Sequence, residues 1–145
     1  MSSTSESDRR DFSTLYTEVT ANIGRLVLNR PECLNAINDT MLAELLEAVR
    51  WLDGHREIRV VIFKGAGRGF CAGADLNSLP FAQGRPETGN TWLHRRQIGQ
   101  TGTRLCEAIE QMRPVTISQV HGCAVGGGVL LMTACDLRVV AQGTV

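Results

Sequence analysis

The sequence predicts an α/β fold built on a largely parallel sheet, and three observations predict it. Strand-like and helix-like hydrophobic periods alternate along the chain in the order β-α-β-α-β-α-β. The run "RVVIFKG" is apolar almost throughout, the type that parallel sheets bury on both faces. Each helical segment between two strands also supplies the crossover that a parallel pair requires.

Met1 to Asp11, "MSSTSESDRRD", has no apolar residue after Met1 and cannot offset the entropy of being ordered. It is expected to be a disordered tail, residues 1–11, ahead of a folded core over residues 12–145. "LYTEVT" alternates, and "IGRLVLNRP" reads as a second strand stopped by Pro31, with Gly24 a turn or bulge between them. From Thr40 the period lengthens: Leu42, Leu45, Leu46, Val49 and Leu52 form one helical stripe, with Asn38 or Asp39 as cap and Gly54 beyond the end. After the strand "RVVIFKG", Pro80 to Asn90 reads as a polar loop. A helix follows from about Thr91 to Met112, with Leu105, Ile109 and Met112 on one stripe and Gly99 and Gly102 weakening its front half. "VTISQV" is the next strand, Gly127 to Ala134 a short helix and "DLRVVA" a last strand.

Composition narrows the function classes. A chain of 145 residues is one domain's length and can own a core. Lys+Arg and Asp+Glu are both 15, so no net basic charge points to nucleic acid. Lys64 is the sole lysine, which favours the planar grip of arginine on phosphate or carboxylate. Five cysteines without C-x-x-C spacing, and no charged-then-apolar leader, predict reduced thiols in the cytoplasm. The longest apolar run, Cys123 to Cys135, falls short of the ~20 residues that span a bilayer, so no membrane segment is expected.

Twice the chain passes from strand through a glycine turn into a probable helix: "VVIFKGAGRGFCAGADL" and "VTISQVHGCAVGGGVLLM". In open α/β sheets ligands sit beyond the carboxyl ends of the strands, so two such turns can face one crevice. Glycine lets a ligand approach the backbone, and the first N–H groups of a helix have no internal acceptor. Two N–H groups converging from separate turns make an oxyanion hole, which would suit a thioester carbonyl becoming an enolate. The bland alternative is tight helix–strand packing, which either turn alone would satisfy. Dinucleotide binding fails in detail, because Gly65, Gly67 and Gly69 are followed by Phe70 where G-x-G-x-x-G ends in glycine. A P-loop fails for want of Gly-Lys-Ser/Thr.

The motifs "LNRPECLNAIN" (Leu28 to Asn38), "GAGRGFCAGADL" (Gly65 to Leu76), "VHGCAVGGG" (Val120 to Gly128) and "ACDLRVVA" (Ala134 to Ala141) resemble the enoyl-CoA hydratase/isomerase, or crotonase, family over about Val19 to Val145. The resemblance implies a crotonase-like spiral of ββα units, here without its C-terminal part, that binds acyl-CoA thioesters and assembles as a trimer or hexamer. No cofactor is implied beyond the coenzyme A of the substrate, and no metal. By motif, Ala74 and Gly127 would supply the two oxyanion N–H groups. The segments holding Asn35, Ala36 and Ile37, and Ala72, Gly73, Asp75 and Leu76, would hold the CoA arm, with Gly126 and Leu130 beside the thioester. Cys33 stands where the family often carries a phosphate-binding lysine, and Arg30 and Arg68 would compensate.

The departure lies after the glycines. Hydratases of the family carry glutamate two residues past G-G-G, and here Leu130 occupies that place. Water addition uses paired carboxylates to activate water and move the proton, and leucine does neither. The expected function is therefore enoyl-CoA hydratase/isomerase-type chemistry, with a catalytically silent CoA-thioester binder as the alternative. Cys71 with His121 offers an acyl-transfer pair, although both read more simply as structural residues, and Asp75 reads more simply as a helix cap than as a base. No serine lies in either turn, which removes the nucleophile a Clp-type protease would need.

Overall fold

The structure, a computed structural model, describes residues 8–78 and 89–145. Six strands form one mixed sheet in sequence order: β1 (Asp8–Asp11), β2 (Leu15–Thr20), β3 (Ile23–Leu28), β4 (Val60–Gly65), β5 (Val115–Val120) and β6 (Leu137–Val140). β1, β2 and β3 pair antiparallel, whereas β3 to β6 run parallel, each parallel pair separated in sequence by one helix: α1 (Asp39–Gly54), α2 (Gly89–Glu110) and α3 (Gly127–Ala134). The largely parallel sheet expected from the alternation is therefore present, with an antiparallel margin at its N-terminal edge.

One face of the sheet meets the helices. A cross-strand row of Thr17, Leu26, Phe63 and Ser118 runs through four strands, and all four side chains are buried. The helical side of the core is Met41, Leu42, Leu45, Ala48, Val49 and Leu52 of α1, Leu105 and Ile109 of α2, and Leu131 of α3. The α1 stripe follows the expected period, and Asn38 is the cap: its side-chain oxygen accepts from Met41 N–H at 2.8 Å. β4 differs from expectation. Val61 and Phe63 are buried but Val60, Ile62 and Lys64 are half-buried, because helices cover only one face.

Three local expectations are corrected. Gly24 lies inside β3, opposite Val19 and Val61, and the chain turns at Ala21 and Asn22 instead. Asp8 to Asp11, expected in the tail, form the edge strand β1; residues 1–7 lie outside the described residues. Pairing to β2 supplies the order that composition could not, aided by ion pairs from Arg9 to Glu18 and Arg10 to Glu47. Of the loop expected over Pro80 to Asn90, residues 80–88 lie outside the described set, while Gly89 and Asn90 belong to α2.

Glu44 of α1 anchors the entry to β2. Its carboxylate accepts from the backbone N–H of Ser13 at 3.1 Å and of Thr14 at 2.9 Å, and from both hydroxyls. Burial alone would raise the Glu44 pKa, but the four hydrogen bonds outweigh it and hold the carboxyl below its ordinary value. A depressed folded pKa means stability that is present above the unfolded value of about 4.3 and is lost as pH falls through the folded value. Glu44→Ala should cost about 2–3 kcal/mol near neutral pH. Denaturant titrations should also show a smaller loss of stability on acidification in that variant than in the native chain; parallel pH profiles would refute the role.

Candidate functional site

Parallel pairing of β4 with β5 brings their carboxyl ends to the same edge, so both glycine turns leave the sheet side by side. Cys71 bridges Ala124 in parallel: its N–H donates to the Cys123 carbonyl, and Val125 N–H donates to the Cys71 carbonyl, both at 3.0 Å. On its other side the first turn bridges Ile37, whose N–H reaches the Gly73 carbonyl at 2.7 Å while its carbonyl accepts from Asp75 N–H at 2.8 Å. Ala72 to Asp75 is thus laced between the Leu34–Ile37 loop and the turn before α3.

Two positions in this lacing exclude a side chain. A Cβ on Gly128 would stand 2.3 Å from the Cys71 carbonyl oxygen. Gly73 has φ +91°, and a Cβ there would meet the Val125 carbonyl oxygen at 2.6 Å and the Gly127 nitrogen at 3.4 Å. The glycines therefore serve the packing that the bland reading expects. The same approach brings the second turn's helix start against the first turn.

The N–H groups of Ala74 and Gly127 are unspent. Ile37 is bonded by Gly73 and Asp75, so the intervening Ala74 N–H faces away from that partner. Gly127 opens α3 and has no acceptor within the helix. Neither N–H donates a hydrogen bond among the described residues. Ala74 and Gly127 line one cavity of about 490 Å³, walled by Leu42 of α1, Ile98 and Leu105 of α2, and Leu130 and Leu131 of α3.

Of the residues singled out in the sequence, Ile37, Ala74, Asp75, Gly127 and Leu130 line this cavity. Leu130 is 60% exposed, on the face of α3 turned to the opening. Gly126 is the residue before α3, with φ +50°. Ala36 and Gly73 are buried, Ala72 half-buried and Leu76 exposed on the outer rim.

Two polar residues of the expected CoA-binding set, Arg30 and Asn35, turn their side chains inward. Arg30 donates to the Ala36 carbonyl at 2.6 Å and to the Asp75 carboxylate at 3.0 Å. Asn35, fully buried with φ +56°, accepts from Arg30 N–H and donates to the carbonyls of Ala66 and Gly69, so it ties the two loops together. Arg68 is exposed, and its side chain makes no hydrogen bond or ion pair among the described residues. Asp75 acts as a cap, accepting from Asn77 N–H at 3.1 Å.

The acyl-transfer pair is absent. Cys71 is fully buried with its thiol on the Asn35 carbonyl, and burial pushes its pKa up to about 11, so it is a neutral thiol near pH 7. His121 spends Nε2 on the Gly67 carbonyl at 2.8 Å. Among the described residues no group of three or more His, Cys, Asp or Glu could hold a metal, and no helix is long and apolar enough to cross a membrane. The cavity residues of α2 were missed. Gly99, Gly102, Thr103 and Cys106 follow the i, i+3, i+4, i+7 rule on the cavity face, a period visible in the sequence but carried by small residues.

Two outcomes check this packing. Gly128→Ala should destabilise the fold by about 1–3 kcal/mol in chemical denaturation, since a main-chain oxygen must move. Brief alkylation of the native protein should label Cys33, Cys106 and Cys123 before Cys71 and Cys135, whose burial raises the pKa values to about 11 and about 12. Early labelling of Cys71 would contradict its buried place.

The profile of the enoyl-CoA hydratase/isomerase family matches residues 18–145. A peroxisomal Delta(3,5)-Delta(2,4)-dienoyl-CoA isomerase of Arabidopsis thaliana is 38% identical over 123 residues, covering 81% of this chain and 44% of its own length. An ethylmalonyl-CoA decarboxylase of Gallus gallus is 34% identical over 124 residues, covering 86% of this chain and 39% of its own. An enoyl-CoA hydratase crystal structure from Mycobacterium smegmatis superposes with a TM-score of 0.80 at 29% identity, over 92% of this chain and 49% of that one. The chain thus spans about half or less of the length of these relatives. With this fold, these motifs and these matches, the chain belongs to the enoyl-CoA hydratase/isomerase family.

Proposed function

We propose that the chain binds acyl-CoA thioesters and stabilises a thioester enolate through the N–H groups of Ala74 and Gly127. The observation that carries this reading is that both N–H groups are unspent and both residues line one apolar cavity. A thioester oxygen accepting from both would gain more as it becomes negative, which lowers the barrier to removing a proton from the carbon beside the carbonyl. The relatives named as isomerase, hydratase and decarboxylase all take acyl-CoA substrates by name, and enolate formation would serve each of those reactions.

The CoA portion would extend over the Ile37 and Asp75–Leu76 rim, with the exposed guanidinium of Arg68 as the phosphate contact in place of Arg30. Assembly into a trimer or hexamer is part of the same reading. Leu137, Val139 and Val140 of the open sheet edge and Val129 of α3 are exposed apolar residues that association would cover. The five free thiols suit a reducing compartment such as the cytoplasm.

A catalytically silent thioester binder is the second reading, and Leu130 favours it. The cavity receives leucine where hydratases of the family place glutamate, and the cavity-lining Asp75 is spent on Arg30 and the Asn77 N–H. This chain is therefore expected to bind thioesters without hydrating crotonyl-CoA.

Calorimetric titration separates these statements. Butyryl-CoA should bind more tightly than its thioether analogue, which lacks the carbonyl oxygen, by about 1–3 kcal/mol for two hydrogen bonds; equal affinities would remove the oxyanion role. Arg68→Glu should weaken both ligands alike, and an unchanged affinity would leave Arg68 without a phosphate. Hydration of crotonyl-CoA by this chain, followed by loss of enoyl absorbance, would overturn the reading of Leu130, whereas migration of the double bond in a 3-enoyl-CoA would favour isomerase over silent binder.

A further inference from the structure

We infer that Gly99 and Gly102 of α2 set the capacity of the cavity, and that its substrate class is medium-chain rather than short-chain acyl-CoA; this rests on the acyl-CoA reading above. Both residues line the cavity that Ala74 and Gly127 also line, and a Cβ built on either meets nothing within 4 Å among the described residues. The contrast with Gly73 and Gly128, where a Cβ would strike main-chain oxygen, separates two uses of glycine in one site. At the turns its smallness permits contact. On α2 it leaves space.

That space has a cost, because glycine in a helix interior is disfavoured relative to alanine. Packing among the described residues does not require it here, since alanine at both positions would displace none of their atoms. Thr103 and Cys106 continue the same face, so α2 turns four small residues to the cavity beside Ile98 and Leu105, while Ile109 is buried in the core. Opposite stand Leu42, Leu130 and Leu131, which make the other wall apolar. A cavity of about 490 Å³ lies within the usual range for sites enclosing drug-sized ligands, and a crotonyl group would leave much of it unfilled. An aliphatic chain continuing from the thioester past Leu130 toward Gly99 and Gly102 would fill it.

The test compares butyryl-CoA with decanoyl-CoA by calorimetry on the whole chain and on Gly99→Leu and Gly102→Leu. The native chain should prefer decanoyl-CoA. Each leucine should lower the decanoyl-to-butyryl affinity ratio by about tenfold, the equivalent of roughly two methylenes no longer buried. Gly99→Ala and Gly102→Ala should lower the ratio less while raising the thermal midpoint, which separates lost capacity from lost fold. An unchanged ratio in the leucine variants, an equal loss of both ligands, or native affinities that do not rise with chain length would overturn the inference. Failure of every acyl-CoA to bind the native chain would instead overturn the acyl-CoA reading on which it rests, and this inference with it.

Discussion

The approach of two main chains at a distance no side chain can occupy is the constraint on which the site depends. The Cys71 carbonyl lies where a Cβ of Gly128 would be, and the Val125 carbonyl lies where a Cβ of Gly73 would be. That closeness has a source in the sheet, because Phe63 pairs with Ser118 and Lys64 with Gln119, so β4 and β5 end almost level. The segments leaving the two strands must then turn within the same small volume. Glycine at these positions converts a crowded corner into paired backbone, and the pairing decides which N–H groups are used and which are left over.

The buried polar side chains around the site are satisfied. Among the described residues no buried side-chain nitrogen or oxygen lacks a partner. Asn35 uses both ends of its amide, and Thr116 exchanges hydrogen bonds with Asp136 through its N–H and hydroxyl. Those bonds from Thr116, the backbone one foremost, hold the Asp136 carboxyl below its ordinary value. Beside these side chains, the N–H groups of Ala74 and Gly127 meet an apolar cavity with no acceptor among the described residues.

Legibility in the sequence followed how local the cause was. The α1 stripe, the β4 run and the two glycine turns were readable because period and turn chemistry are properties of neighbouring residues. β1 was not, since "DRRD" has no strand propensity of its own and is ordered by its pairing with β2 and by Glu18 of that strand and Glu47, 37 positions from Arg10. The half-buried outer face of β4 was hidden because an apolar run does not say how many faces helices will cover. Arg30 looked like a phosphate ligand by type. Its inward commitment depends on Asp75, 45 positions away, and on the bend that puts Leu34 and Asn35 at positive φ. The small residues of α2 were visible as helix weakeners, but their direction required knowing where the cavity lay.

The division between backbone and side chain also bears on what this chain shares with its relatives. Proteins named as isomerase, decarboxylase and hydratase each match more than four fifths of it. The features the structure makes rigid there are main-chain ones: the two turns, their mutual pairing and the start of α3. A substitution such as leucine at position 130 alters the cavity wall without disturbing any of them, because the Leu130 side chain is exposed and it is the main chain that takes part in the helix, its N–H bonded to the Gly126 carbonyl and its carbonyl accepting from the Thr133 hydroxyl. On the proposed reading, the groups that would hold a thioester oxygen belong to the main chain of the two turns, which a change of side chain at the cavity wall leaves in place.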